Sequence, residues 1–142
     1  MHIFKPTIQQ EKTSIPLLLA TTKAGFPSPA DDYIEKTINL HDELVHHPVS
    51  TFFIYVHGDS MKDAGILDGD LLVVDKSLEP KHGMVVMAIL NGEFTVKYFH
   101  KRQDAVVLVP ANPAYNEIHI LPFDEFEVWG VVTSAVHNLL KP

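Results

Sequence analysis

The sequence predicts a mostly β domain of packed, partly closed sheets with a flexible N-terminal arm, and three observations carry that expectation. Short apolar runs recur at close spacing from Thr51 to Val136 with no helical pattern between them. Turn signals separate the runs, at Gly58, Asp68-Gly69, His82-Gly83 and Asn91-Gly92, with Pro110, Pro113 and Pro122 further on. The first fifty residues read differently, holding few strand patterns and a stretch Gly25-Phe26-Pro27-Ser28-Pro29 whose prolines forbid regular pairing. The expected division is an arm over residues 1–50 and a β domain over residues 51–142.

The elements follow in order. Within the arm, Asp31 to Leu44 reads as a short helix, capped by Asp31 or Asp32, with Tyr33, Ile34, Ile38 and Leu44 on its apolar side and Pro48 ending it. Thr51 to His57 alternates, with Phe52, Ile54 and Val56 on one side and Phe53 and Tyr55 on the other, and it stops at Gly58. The turn Leu67-Asp68-Gly69-Asp70 feeds a strand over Leu71 to Val74, and Lys81-His82-Gly83 feeds one over Met84 to Leu90. Asn91-Gly92 is the strongest hairpin signal in the chain, because a type I′ turn needs positive φ at both central residues. Its return strand carries Glu93 to Lys97, and further strands are expected at Ala105 to Val109, Glu117 to Leu121 and Phe126 to Val136.

Composition bounds the function. A chain of 142 residues supports one well-buried core, and 46% hydrophobic with 20% charged residues is the balance of a folded soluble protein. No apolar run approaches the roughly 20 residues needed to cross a bilayer, and no charged start leads into a long apolar stretch, so no membrane contact and a cytoplasmic location are expected. The absence of cysteine removes disulfides, thiolate catalysis and cysteine-type zinc sites. A net charge of −7 argues against direct DNA binding, which draws on basic side chains that neutralise phosphates. The one basic cluster, Lys97, His100, Lys101 and Arg102, reads as a solvated hairpin turn. Among the nine histidines the densest group, His41, His46 and His47, lacks the spacing of a metal motif, and no metal or cofactor is expected.

Two residues could carry chemistry. Ser60 lies in Gly58-Asp59-Ser60-Met61, and Lys97 lies in a short extended run with Phe94, Val96, Tyr98 and Phe99 around it. A serine hydroxyl needs a partner that takes its proton, and lysine serves only when neutral, a state that burial in apolar surroundings favours. Taken singly, each residue also has a plain structural reading, since Gly-Asp-Ser is common turn chemistry and a strand lysine usually points to water. A histidine such as His57 or His119 is a rival base, although the second glycine of a Gly-x-Ser-x-Gly elbow is missing at Lys62.

In these residues the chain resembles the LexA/UmuD family of self-cleaving serine peptidases, most closely its UmuD branch. The resemblance is carried by Gly58-Asp59-Ser60-Met61 with Gly65-Ile66, by Asp68-Gly69-Asp70-Leu71-Leu72-Val73-Val74-Asp75, by Gly92-Glu93-Phe94-Thr95-Val96-Lys97, and by Gly130-Val131-Val132, in the family's order. It implies a Ser60–Lys97 catalytic dyad, an oxyanion held by the backbone N–H groups of Asp59 and Ser60, and cleavage of the chain's own Ala24-Gly25 bond. Branch members often carry cysteine before that glycine, whereas alanine stands here; both are small enough for a narrow cleft. With so short a segment before the cut, the resemblance points away from a DNA-binding repressor. It implies an SOS-response protein, a homodimer whose cleavage a RecA filament stimulates, and a trimmed form that joins a UmuC-type translesion DNA polymerase. A non-enzymatic module that binds RecA or a polymerase through a vestigial site is the competing reading.

Overall fold

Eight antiparallel strands make one sheet, and its order departs from chain order where a late strand inserts into the middle. The computed structural model describes residues 3–6, 15–18 and 34–140. Among these residues the strands are β1 (Ile3–Phe4), β2 (Ile15–Leu18), β3 (Ile34–Ile38), β4 (Thr51–Tyr55), β5 (Leu71–Asp75), β6 (Val85–Leu90), β7 (Glu93–Arg102), β8 (Ala105–Val109), β9 (Ile118–His119) and β10 (Phe126–Val136), and the α-helix is α1 (Leu40–Leu44). The main sheet runs β1-β4-β5-β10-β6-β7-β8-β9, while β2 and β3 form a separate two-stranded ribbon. Residues 1–6 with 47–142 make one compact unit, and residues 7–46 a second.

Strand β10 holds the sheet together by pairing with β5 on one side and β6 on the other, and it bulges between Val128 and Gly130 and again between Val132 and Ser134. Gly130 sits where the neighbouring backbone comes close. A Cβ there would stand 2.6 Å from Val74 Cγ1, so only glycine fits without displacing a fully buried core residue. The strands bury two apolar clusters, one of Ile54, Val56, Met61, Ile66, Leu72, Val74, Met87 and Val96, the other of Val86, Ala88, Phe99, Leu108 and Val131. Successive residues Val86, Met87 and Ala88 of β6 are all fully buried and fall in different clusters, so both faces of this strand are covered. That matches the expected mostly β domain.

The Asn91-Gly92 hairpin forms as expected, with φ of 49° and 84° at the two turn residues and Leu90 opposite Glu93. Its tip is tied down by Asn91, whose Nδ2 donates to Asp124 Oδ1 at 3.1 Å and whose Oδ1 accepts from Glu125 N at 3.0 Å. Three expectations need correction. The helix read over Asp31 to Leu44 is confined to Leu40–Leu44, and Ile34–Ile38 is a strand; Asp31, Asp32 and Tyr33 lie outside the described residues. Ile34, Thr37 and Ile38 are β-branched and suit an extended chain, while the Asn39 side chain accepts from Asp42 N at 3.1 Å and starts the helix there. The strand expected over Glu117 to Leu121 shrinks to Ile118–His119. The basic cluster is not a hairpin turn: Lys97, His100, Lys101 and Arg102 all lie within β7, the turn falling at Gln103 and Asp104, and Arg102 forms a two-pronged ion pair with Glu117.

Candidate active site

Ser60 lies just beyond β4, on a turn that Gly58 opens with φ of 92°, a left-handed conformation that glycine adopts without strain. The turn is fixed from three directions. Gly58 N donates to Asp68 Oδ1 at 2.7 Å, Met61 is buried in the core at the foot of the turn, and a short 3-10 turn over Lys62–Ala64 carries the chain away. Across from it, residues 111–115 act as a strap. Ala111 N donates to Ser60 O at 2.8 Å, Asp63 N donates to Ala111 O at 2.8 Å, Asn112 Nδ2 donates to Asp59 O at 2.9 Å, and the Tyr115 hydroxyl donates to Asp59 Oδ1 at 2.6 Å. That last bond, to a carboxylate, raises the Tyr115 hydroxyl pKa.

Lys97 reaches this turn from the middle of β7. Its Nζ lies 3.1 Å from Ser60 Oγ, 2.8 Å from Thr95 Oγ1 and 3.1 Å from the Val96 carbonyl oxygen. Thr95 stands two residues before Lys97, so the alternation of a strand puts both side chains on one side. Lys97 is buried, 9% exposed, and desolvation lowers its pKa from the ordinary lysine value. None of its three hydrogen-bond partners is a carboxylate, so among the described residues no anion in contact restores the preference for charge. An amine in these surroundings has two N–H bonds to give Thr95 and Val96 and a lone pair left for the Ser60 hydroxyl, which is the arrangement a proton acceptor needs.

A cleft opens at the pair, lined by Val56, His57, Met61 and Ile66 on one side and by Phe94 to Lys97 on the other. Strand β8 covers β7 only from Tyr98 to Arg102. The Glu93 to Lys97 half therefore has β6 on one edge and, among the described residues, no strand on the other. A cleft floored by an open strand edge suits an extended polypeptide held by backbone hydrogen bonds. The N–H groups of Asp59 and Ser60 have no hydrogen-bond partner among the described residues. Ala24 and Gly25 lie outside the described residues.

The rival histidines stand elsewhere. His57 lines the cleft, but it is largely exposed and its Nδ1 lies 3.9 Å from Asp68 Oδ1, while His119 is on the edge strand β9 with Nε2 3.5 Å from Glu117. Among the described residues no three His, Cys, Asp or Glu side chains are gathered to hold a metal ion, and no helix is long and apolar enough to cross a membrane. Thr95, Asn112 and Tyr115 carry roles that the sequence reading missed. Thr95 was legible in principle from its spacing to Lys97 in a strand; the strap residues, set between prolines more than fifty positions from Asp59, left no local signal.

Residues 16–133 match the family model described as Peptidase S24-like. The chain is 44% identical to Protein MucA of Salmonella typhimurium over 142 residues, covering 99% of this chain and 94% of MucA. It is 40% identical to Protein SamA of the same species over 133 residues, 94% of this chain and 92% of SamA. The LexA repressor of Paracidovorax citrulli is 34% identical over 123 residues, which take in 87% of this chain and 54% of the repressor.

Proposed function

We propose that this chain, which belongs to the peptidase S24-like family, cleaves its own backbone between Ala24 and Gly25 with Ser60 as nucleophile and Lys97 as general base. The observation that carries the reading is the 3.1 Å approach of a buried lysine amine, its pKa lowered by desolvation, to the Ser60 hydroxyl. The arm enters the cleft as an extended strand along the open Glu93 to Lys97 edge, and the small Ala24 and Gly25 let its carbonyl approach Ser60. Neutral Lys97 takes the hydroxyl proton as Ser60 Oγ bonds to the Ala24 carbonyl carbon. The Asp59 and Ser60 N–H groups hold the resulting oxyanion. The Ala24–Gly25 C–N bond then breaks, the Gly25 nitrogen leaves with the proton carried by Lys97, and Ala24 remains as an ester on Ser60. Water, giving its proton to Lys97, hydrolyses the ester and restores the serine. The products are a fragment ending at Ala24 and residues 25–142.

Through its likeness to the UmuD branch we assign the reaction to SOS mutagenesis. A RecA filament on single-stranded DNA stimulates the cut by favouring the conformer with the arm in the cleft, and the trimmed form, as a homodimer, serves a UmuC-type translesion polymerase. Incubation of the purified protein with and without a RecA filament, followed by mass measurement, tests this. The expected product starts at Gly25, forms faster with the filament, and is absent from Ser60→Ala and Lys97→Ala. An intact mass under every condition leaves a binding module without peptidase activity, and loss of cleavage in His57→Ala or His119→Ala moves the base to histidine.

A further inference from the structure

The start of the chain closes one end of the main sheet. Ile3 and Phe4 of β1 pair antiparallel with Ile54 and Phe53 of β4, whose other edge is taken by β5. The Phe4 ring meets the Tyr55 ring edge to face, centroids 5.7 Å apart at 83°. Lys5 Nζ stands 4.3 Å above the Phe52 ring and donates to the Val49 carbonyl, and Pro6 is buried. All of this cap lies on the N-terminal side of the Ala24-Gly25 bond. In the uncut chain the cap is intramolecular, and the covalent link keeps its effective concentration high. The same fragment also carries β2, paired with β3, but neither a two-residue strand nor a lone two-stranded ribbon has enough pairings to hold once that link is broken.

We infer that self-cleavage uncovers the β4 edge as a docking surface for an extended segment of a partner protein that presents an aromatic side chain followed by a cation. The inference rests on the proposed cut, and the chain's own Ile3-Phe4-Lys5 supplies the template for the occupant. An incoming strand gains the backbone pairing at Phe53 and Ile54, an aromatic partner in Tyr55, and for its cation both the Phe52 ring and the Val49 carbonyl. The uncut chain keeps that surface covered, so docking waits for cleavage.

Amide hydrogen exchange over Thr51 to Tyr55 tests both halves. In the uncuttable Ser60→Ala chain, adding Ile3→Asp and Phe4→Asp is expected to speed exchange at the β1-facing amide of the Phe53–Ile54 pair by about tenfold or more, with Leu72 to Val74 unchanged; unchanged exchange at that amide overturns the cap. This arm does not depend on cleavage. In the wild-type chain cut to completion, as checked by mass, the same amide is expected to exchange fast. An acetylated Ile-Phe-Lys-Pro peptide in excess then slows it, and an Ile-Ala-Ala-Pro peptide does not. If no product forms, the self-cleavage reading fails while the first arm still decides the cap. If product forms and the amide stays protected, because the fragment remains in place or a second copy covers the edge, the inference is overturned. Equal protection by both peptides overturns the aromatic-and-cation requirement.

Discussion

Lys97 on β7 and Asp75 on β5 are both buried ionisable side chains of the same sheet, separated by β10 and β6, and burial leads them to opposite roles. Asp75 is 4% exposed and surrounded by groups that favour its charge: His47 Nδ1 at 2.5 Å, Ser50 Oγ at 3.0 Å, and the Ser77 hydroxyl and N–H at 2.7 and 2.8 Å. Burial alone would raise its carboxyl, but the hydrogen bonds from Ser77, His47 and Ser50 outweigh that and hold the pKa below the usual carboxylate range. Lys97 donates only to the neutral oxygens of Ser60, Thr95 and Val96, and desolvation lowers its pKa, so its charged form is disfavoured. A buried carboxylate whose hydrogen bonds outweigh its desolvation anchors the fold; a buried amine facing only neutral oxygens is left reactive.

The largest test of that contrast is to remove each group. Lys97→Met is expected to abolish self-cleavage, a loss of about a thousandfold or more, while leaving resistance to urea equal to or above that of the parent, because a desolvated amine is replaced by an apolar chain of similar length. Asp75→Ala is expected to lower stability by about 2–3 kcal/mol, since it strands donors that the carboxylate satisfies. A marked loss of stability in the lysine variant would break the comparison.

The pH dependence sharpens it. The rate without RecA is expected to climb with pH as Lys97 loses its proton and to level off below the ordinary lysine pKa of about 10.4. A rate that is flat or falls from neutral to alkaline pH rules out a lysine base. Stability follows linkage in two separate windows. With its folded pKa depressed, Asp75 contributes stability above the unfolded carboxylate value of about 3.9, and that contribution is lost as pH falls through the folded value. Lys97 is also depressed, so between its folded value and the unfolded lysine value the unfolded chain binds the extra proton and stability rises with pH. Urea titrations of Asp75→Ala should weaken the acid limb and leave the alkaline one, and those of Lys97→Met should do the reverse.

Smaller effects concern the groups around each charge. Thr95→Val removes one acceptor from Nζ and is expected to slow cleavage about tenfold, with Thr95→Ser restoring most of it and neither changing the urea midpoint appreciably. His47→Gln takes only one of several donors from Asp75, and its half-exposed ring limits the loss to about 0.5–1 kcal/mol in the same titration.

Much of the fold was legible because its signals are local. Asn91-Gly92 demands a particular turn and fixes the register of the two strands beside it, so the return strand bearing Lys97 follows from two residues. Phe126 to Val136 reads as one strand and is one, β10. The misread segment, Asp31 to Leu44, has apolar residues at positions compatible with both a helix and a strand; pairing between Ile34–Ile38 and Ile15–Leu18 decides it, and pairing across that separation leaves no mark in a short window. Asp75 appeared only as the end of a matching motif. Its three side-chain partners converge on it from His47, Ser50 and Ser77, and a carboxylate at a strand end looks exposed until those neighbours are in place.

For the reactive pair, the amino-acid sequence determines by itself which groups are available: a serine on a glycine-opened turn and a lysine on a hairpin strand, in motifs ordered as in a known peptidase family. The three-dimensional structure decides their state. Whether a lysine is a solvated cation or a neutral base depends on the water taken from around it and the charges placed beside it. At Lys97, burial removes that water, and among the described residues a hydroxyl pair and a carbonyl are what the amine meets.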